Sequence, residues 1–285
     1  MKTFKLKARQ IGAAALWVLS TSLLVGCNQA QDQATDAPSG RISVVGSSSI
    51  SALLGEMGKA YESAHPGIRI DVQSGGSSRG IMDVRAGTAM LGMVSRALKP
   101  DEKDLSNALI ARDGIGLIVH ADNPVSGLSR EQVIGIYTGQ INNWSEVGGD
   151  DLAITVVSKA EGRSTLEVFS DHFGMSYRQI QADVIIGDNQ QGIQTVAGST
   201  AAIGYVSIGS AEYEAEQGAT IQLIALDGQM PSTEAVAAGN FPMSRDLNLV
   251  YREPINDQVR DFLTFTRSSE AADLVSRMYL IPVTQ

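Results

Sequence analysis

One loop constrains this chain more than any other stretch: Gln73-Ser74-Gly75-Gly76-Ser77-Ser78-Arg79-Gly80-Ile81. An alternating run, Ile68-Arg69-Ile70-Asp71-Val72, precedes it, and Met82-Asp83-Val84-Arg85-Ala86, free of glycine and proline, follows. That pattern is a strand, a glycine–serine loop and the first turn of a helix. Backbone N–H groups at a helix start have no intrahelical partner, and short hydroxyls beside them complete an uncharged cradle for an anion. The same build occurs twice more. Ile42-Ser43-Val44-Val45 runs into Gly46-Ser47-Ser48-Ser49, and Ile50, Leu53, Leu54, Met57 and Tyr61 then recur at helical spacing. Ile154-Thr155-Val156-Val157 leads to Lys159-Ala160-Glu161-Gly162-Arg163-Ser164-Thr165, after which Leu166, Phe169 and Phe173 line one side of a helix. One such loop is most simply a turn, whereas three in one chain point to a site beyond the carboxyl ends of the strands.

The chain is long enough, at 285 residues and 43% hydrophobic, to bury a large core and to form more than one lobe. Its formal net charge is −9, and no basic stripe with interleaved aromatics is present, which excludes nucleic acid as a partner. The same charge does not exclude an anion, because short-range donors in a dry pocket outweigh a distant, salt-screened field.

Residues 1–27 begin with Lys2, Lys5, Lys7 and Arg9, continue as an uncharged apolar run from Ile11 to Val25, and end at Gly26-Cys27. The run is short for a bilayer span, which takes roughly 20 apolar residues, and fits a secretory leader. Leu24-Val25-Gly26-Cys27 resembles a bacterial lipobox, which makes Cys27 the acylated N-terminus of a lipid-anchored protein held outside the cytoplasm, in the periplasm or on the cell surface. Cys27 is the only cysteine, so no internal disulfide can form. Residues 28–40, polar and without an apolar period, read as a flexible tether.

Further along, Pro100 to Ala111 reads as a helix and Ile115–Val119 as an apolar strand. Ser129 with Gln132 is a capping-box pattern opening a helix over Val133, Ile136 and Tyr137. A helix near Gly192–Ala197 and a strand at Ala202–Val206 follow, then Ile221–Leu226 as a strand that could link two lobes. Leu247–Tyr251 as a strand and helices near 254–266 and 269–278 close the chain. Alternating β and α elements in two sets imply α/β lobes with mostly parallel sheets.

Several chemistries lose support. The loop at Gly75–Gly80 lacks the Lys-Ser/Thr ending of a P-loop, and no dinucleotide fingerprint follows the first strand. No cluster of His, Cys and carboxylates has metal-ligand spacing, and no cofactor is expected. Gly76-Ser77-Ser78-Arg79-Gly80 does fit G-x-S-x-G, which makes Ser78 a candidate hydrolase nucleophile. Its base would have to be His120 or His172, and neither is well placed in the sequence.

The residues also resemble a family. Val45-Gly46-Ser47-Ser48-Ser49, Gly76-Ser77-Ser78-Arg79-Gly80-Ile81 and Gly87 through Arg96 look like the first lobe of the phosphate-binding proteins of ABC transporters. Lys159–Thr165 resembles their Arg-x-x-x-Ser-Gly-Thr loop, and Ala202–Val206, Val259–Phe265 and Ala271–Val283 are similar to later parts. The resemblance implies a type II periplasmic-binding-protein fold, with two α/β lobes and two hinge strands. Lobe 1 would comprise 41–120 with 235–285, and lobe 2 residues 121–234. It implies a monomeric, non-enzymatic receptor that closes on inorganic phosphate and docks on a membrane permease, a receptor for sulfate, molybdate or tungstate being the nearest alternative. Carried over by position, the ligand contacts fall on Ser48, Ser49, Ser77, Lys159, Arg163, Ser164 and Thr165. Met90 stands where the resemblance leads one to expect an aspartate that accepts the proton of hydrogen phosphate, which predicts weakened rejection of sulfate.

Overall fold

The computed structural model describes residues 40–283. The expected leader over 1–27, the acylated Cys27 and all but the last residue of the 28–40 tether lie outside the described residues. The first strand, β1 (Gly40–Gly46), already includes Gly40.

Strand β1 passes through Ser47 into α1 (Ser48–Ala64), which buries Ile50, Leu53, Leu54, Met57 and Tyr61 at the predicted spacing. Next come β2 (Ile68–Ser74), α2 (Ser77–Ala86) and β3 (Leu91–Val94). The helix expected over Pro100–Ala111 is absent. A single 3-10 turn at Pro100–Glu102 gives way to β4 (Ser106–His120), a strand of 15 residues. A short apolar run suits either period, and here long-range pairing along Ser106–Gly114 decides the outcome.

A short β5 (Gly127–Leu128) precedes α3 (Arg130–Tyr137), whose capping box forms as read from sequence. Ser129 Oγ accepts from Gln132 N at 3.2 Å, and Gln132 Oε1 accepts from Ser129 N at 2.8 Å. The third loop lies between β6 (Thr155–Lys159) and α4 (Ser164–Phe173). The chain continues through β7 (Val184–Ile186), α5 (Asn189–Ala197), β8 (Ala202–Ser207), α6 (Ile208–Glu216), β9 (Ile221–Leu226) and α7 (Thr233–Ala237). It ends with β10 (Ser244–Tyr251), α8 (Asp257–Phe265), α9 (Ser269–Arg277) and β11 (Ile281–Pro282).

The strands run in the order β2-β1-β3-β10-β4-β8-β6-β7, with β9 and β11 pairing on β4 and β5 pairing on β9. The sheet is mixed rather than mostly parallel. β1 with β2 and β3, and β6 with β7 and β8, are parallel, but β10 inserts antiparallel between β3 and β4, and β4 runs antiparallel to β8. Strand β4 is shared along its length: Ser106–Gly114 pairs with β10 and Ile115–Val119 with β8.

Helices cover both faces, as parallel strand pairs require. On one face α1, α8 and α9 pack Leu53, Leu54, Phe262 and Val275 on Ile42, Val44, Leu91 and Leu249, so the terminal helices return to the sheet on which the chain began. Helix α2 covers the opposite face there through Ile81 and Val84. Around β6 and β8, α3 and α4 bury Tyr137, Leu166, Phe169 and Phe173, while α5 sets Ile193 and Val196 against Ile118, Val157 and Val206. No helix among the described residues is long and apolar enough to cross a membrane.

Candidate functional site: a buried hydroxyl and guanidinium cluster

Four helices begin at one place. Each follows a strand whose carboxyl end points there, so the starts of α1, α2, α4 and α5 bring together N–H groups that lack intrahelical partners and the positive ends of their dipoles. The backbone is shaped for this approach. Gly46 has φ 146°, and a Cβ on it would stand 2.3 Å from the Met93 carbonyl oxygen. Gly76, just before α2, has φ 91°, a left-handed value that only glycine adopts without strain, and a Cβ there would meet the Gly162 oxygen at 2.8 Å. The second and third loops therefore touch backbone to backbone, and Ser78 N donates to Gly162 O at 3.3 Å.

The side chains form one connected, buried network. Ser95, at the end of β3, is its midpoint: its Oγ lies 2.7 Å from Ser47 Oγ and 2.5 Å from Ser164 Oγ, and its N–H donates to Ser77 Oγ at 3.2 Å. Arg245 on β10 is the principal donor. Its Nη2 donates to Ser49 Oγ at 2.8 Å and its Nη1 to Thr165 Oγ1 at 3.1 Å. Both Nη2 (2.8 Å) and Nε (3.2 Å) donate to Asp113 Oδ2, whose companion oxygen accepts from Gly209 N at the start of α6. Asn189, the first residue of α5, donates to Ser49 Oγ at 3.0 Å and accepts from Lys159 Nζ at 2.9 Å.

Of the residues singled out in the sequence, Ser49, Ser77, Lys159, Ser164 and Thr165 are all buried and belong to this network. Arg163 stands at its rim, against Gly76 and Gly187 rather than bonded within it. Burial holds its guanidinium below the usual range, with Asp188 opposing that and Arg79 adding to it. Ser48 is half-buried, and its side chain makes no hydrogen bond among the described residues, so the first loop joins the network through Ser47 and Ser49. Met90 lies outside the site. It is 41% exposed just before β3, at the opposite end of that strand from Ser95.

The network's charges do not balance. Arg245 has Asp113 as counter-ion, whereas Lys159 has the neutral Asn189 and no carboxylate in ion-pair contact among the described residues. Burial lowers the Lys159 pKa to about 7, with Arg245 and Arg163 adding to the effect and Asp188 opposing it. An oxyanion is the complement of such a cluster, which offers hydroxyls, N–H groups and surplus positive charge away from water.

A second network flanks the first. Arg96 forks onto Glu102 at 2.6 and 2.8 Å, and its Nε lies 2.9 Å from Glu167 on α4. Lys99 Nζ reaches the same Glu167 oxygen at 2.8 Å, and Ser78 Oγ donates to the other at 3.3 Å. Ser78 thus bonds a carboxylate, while both histidines proposed as its base are engaged elsewhere. His120 Nδ1 accepts from Asp122 N, and His172 lies beside Arg130 and Phe173. The hydrolase alternative loses its geometry. No group of His, Cys and carboxylates among the described residues could hold a metal.

A family model described as a PBP superfamily domain matches residues 31–270. A crystal structure of a phosphate ABC transporter substrate-binding protein with bound phosphate, from Clostridium perfringens, superposes with a TM-score of 0.80 at 32% identity, covering 86% of this chain and 100% of that one. This chain belongs to the PBP superfamily, among the phosphate-binding proteins of ABC transporters. Among curated family members, the phosphate-binding protein PstS 2 of Streptococcus pneumoniae is 42% identical over 110 residues, 38% of each chain. The PstS of Bacillus subtilis is 27% identical over 255 residues, 86% of this chain and 82% of that protein. Sequence reasoning missed five members of the site in this family member: Ser47, Ser95, Asp113, Asn189 and Arg245. Neither strand signalled Asp113 or Arg245, because each stands next to an exposed charge, Arg112 or Asp246, and reads as one more surface residue.

Proposed function

We propose that this protein is an extracytoplasmic receptor that captures inorganic phosphate and delivers it to the permease of an ABC transporter. The observation that carries the reading is the bonding of Arg245 to hydroxyls of two separate loops, Ser49 and Thr165, where four helices begin. That arrangement supplies what a tetrahedral oxyanion needs on several sides at once. The relatives' own names and the phosphate bound in the Clostridium perfringens protein support phosphate over other oxyanions.

Residues 41–120 with 235–285 form one lobe in this reading, and residues 121–234 the other. The two halves are supported by separate hydrophobic clusters and by β4, which contributes to both. Val236, Phe241 and Met243 nevertheless pack with the second half, so the late crossing lies between Met243 and Leu247. Closure of the lobes brings Ser47, Ser49, Ser77 and Ser95 against Lys159, Ser164, Thr165 and Asn189, and the closed form docks on the permease. Acylation at Cys27 and a tether over 28–40 hold the receptor at the membrane, a reading supported by the lipobox-like tetrad alone.

Titration calorimetry with phosphate, sulfate, molybdate and tungstate tests the assignment. Phosphate is expected to bind most tightly, with affinity lost in Arg245→Ala. Undetectable phosphate binding by a folded protein overturns it.

A further inference from the structure

Lys159 is set apart from the other cations of the site. Its ammonium nitrogen is buried, its hydrogen-bonding partner is the uncharged Oδ1 of Asn189, and no carboxylate among the described residues contacts it as an ion pair. The groups that face it come from several elements. Arg245 on β10, itself buried, and Arg163 before α4 are positive, and Asp188 before α5 is the one negative group acting on it among the described residues. Tyr205 on β8 accepts from the Lys159 backbone N–H at 3.3 Å through a phenol that burial holds neutral, its pKa pushed up to about 12. Asp113, the carboxylate inside the cluster, is already engaged by two nitrogens of Arg245.

We propose that Lys159 is a proton-coupled anion contact: it is uncharged when no anion faces it, and it takes up one proton as phosphate enters the cluster. This deepens the phosphate-receptor reading and rests on it. The proton comes from solvent or from dihydrogen phosphate and passes to the amine nitrogen. The product in either case is an ammonium group against a doubly charged hydrogen phosphate, so atoms and charge balance. The physical drive is direct. An isolated ammonium buried beside a guanidinium is disfavoured, and a second anion at that place removes the penalty. The pKa of about 7 puts the exchange within the physiological range. Arginine, which the family motif carries at this position, keeps its proton and cannot respond in this way.

The test is calorimetry of inorganic phosphate at about pH 8, in two buffers of differing ionisation heat, because the difference in observed heat counts protons. Close to one proton is expected to be taken up per phosphate bound by the wild-type protein. In Lys159→Arg, binding is expected to persist with uptake near zero, and Lys159→Met is expected to bind at least tenfold more weakly, also without uptake. Near pH 6, where Lys159 already carries its proton, wild-type uptake is expected to vanish or to reverse. Wild-type uptake of zero at pH 8, or the same uptake in Lys159→Arg as in wild type, overturns the role of Lys159 and leaves the receptor reading standing. No phosphate heat from folded wild-type protein overturns both.

Discussion

Arg245 and Asp113 are direct cross-strand partners on β10 and β4, and their side chains meet at 2.8 Å with 2% and 1% of their surface exposed. The pair stands on the strand that both halves of the sheet share, so the guanidinium reaching Ser49 and Thr165 is aimed by backbone register. The carboxylate fixes its plane and removes one unit of charge, and its two Nη nitrogens still present N–H groups to hydroxyls and anion.

Replacing Arg245 with alanine leaves Asp113 buried without its counter-ion. Loss of one partner of a buried pair costs about 3–5 kcal/mol, so a marked fall in melting temperature and loss of phosphate binding are expected together. Arg245→Lys separates the two effects. A lysine can neutralise Asp113 but cannot also reach Ser49 and Thr165, so stability is expected to recover in part while phosphate affinity stays at least tenfold down. Full affinity in Arg245→Lys would falsify a role for the guanidinium in holding the anion.

Glu167 joins α4 to Arg96, Lys99 and Ser78, three residues from the other set of loops. Arg96 is buried and forked on Glu102, whose carboxyl burial pushes up but Arg96 and the Lys99 backbone hold below its usual range. Glu167→Gln removes the charge that bridges the loops and is expected to lower phosphate affinity several-fold, with a stability loss of about 1–2 kcal/mol. Lys99→Ala is expected to change little, because its side chain is half exposed and surface pairs contribute about 0–1 kcal/mol. Equal effects from the two variants, by calorimetry and thermal melting, would show that Glu167 acts through Lys99 alone.

The three loops were legible in the sequence because strand, hydroxyl loop and helix is a local grammar, carried by residues adjacent in the chain. Ser49, Ser77, Lys159, Ser164 and Thr165 lie in those loops, and the family resemblance singled them out there. Arg245 and Asp113 were missed, because their meeting depends on the register of β10 against β4, which no local pattern encodes. The error over Pro100–Ala111 has the same origin: Ala108, Ile110 and Ala111 fit either period, and the pairing with β10 decided. Asn189 was missed because helix α5 begins three residues before the apolar pattern that announced it, and its first residue turned out to be the one that matters.

Met90 was expected to mark the loss of a proton-accepting carboxylate, but it lies away from the cluster, and the residue that β3 contributes is Ser95. The carboxylate inside the cluster, Asp113, is spent on Arg245, so the hydroxyls of Ser47, Ser95 and Ser164 are left to accept the proton of hydrogen phosphate. A hydroxyl rewards that proton by about 1 kcal/mol and does not repel sulfate by charge. A preference for phosphate over sulfate of only about tenfold is expected near neutral pH. Ser95→Asp is expected to widen it by a further tenfold or more, whereas Met90→Asp, on the exposed side, is expected to leave it unchanged. Competition calorimetry with the two anions measures all three, and a wild-type preference beyond a thousandfold would contradict the hydroxyl account.

The burial of Lys159 also sets how stability depends on pH. Its pKa is about 7 in the folded protein against 10.5 for an exposed lysine, so between these values the unfolded chain holds a proton that the folded one lacks. In that window stability contributed by this group rises with pH, at up to about 1.4 kcal/mol per pH unit, and below about pH 7 its cost is constant. Phosphate-free protein is therefore expected to melt at progressively higher temperature from pH 7 toward pH 9, until other groups intervene. Lys159→Met removes this slope, since a methionine fills similar volume without a charge to desolvate. Saturating phosphate flattens it in the wild type by keeping the lysine protonated in the folded state. A wild-type melting temperature that falls over this range as steeply as in Lys159→Met would show that the buried lysine retains its proton at neutral pH.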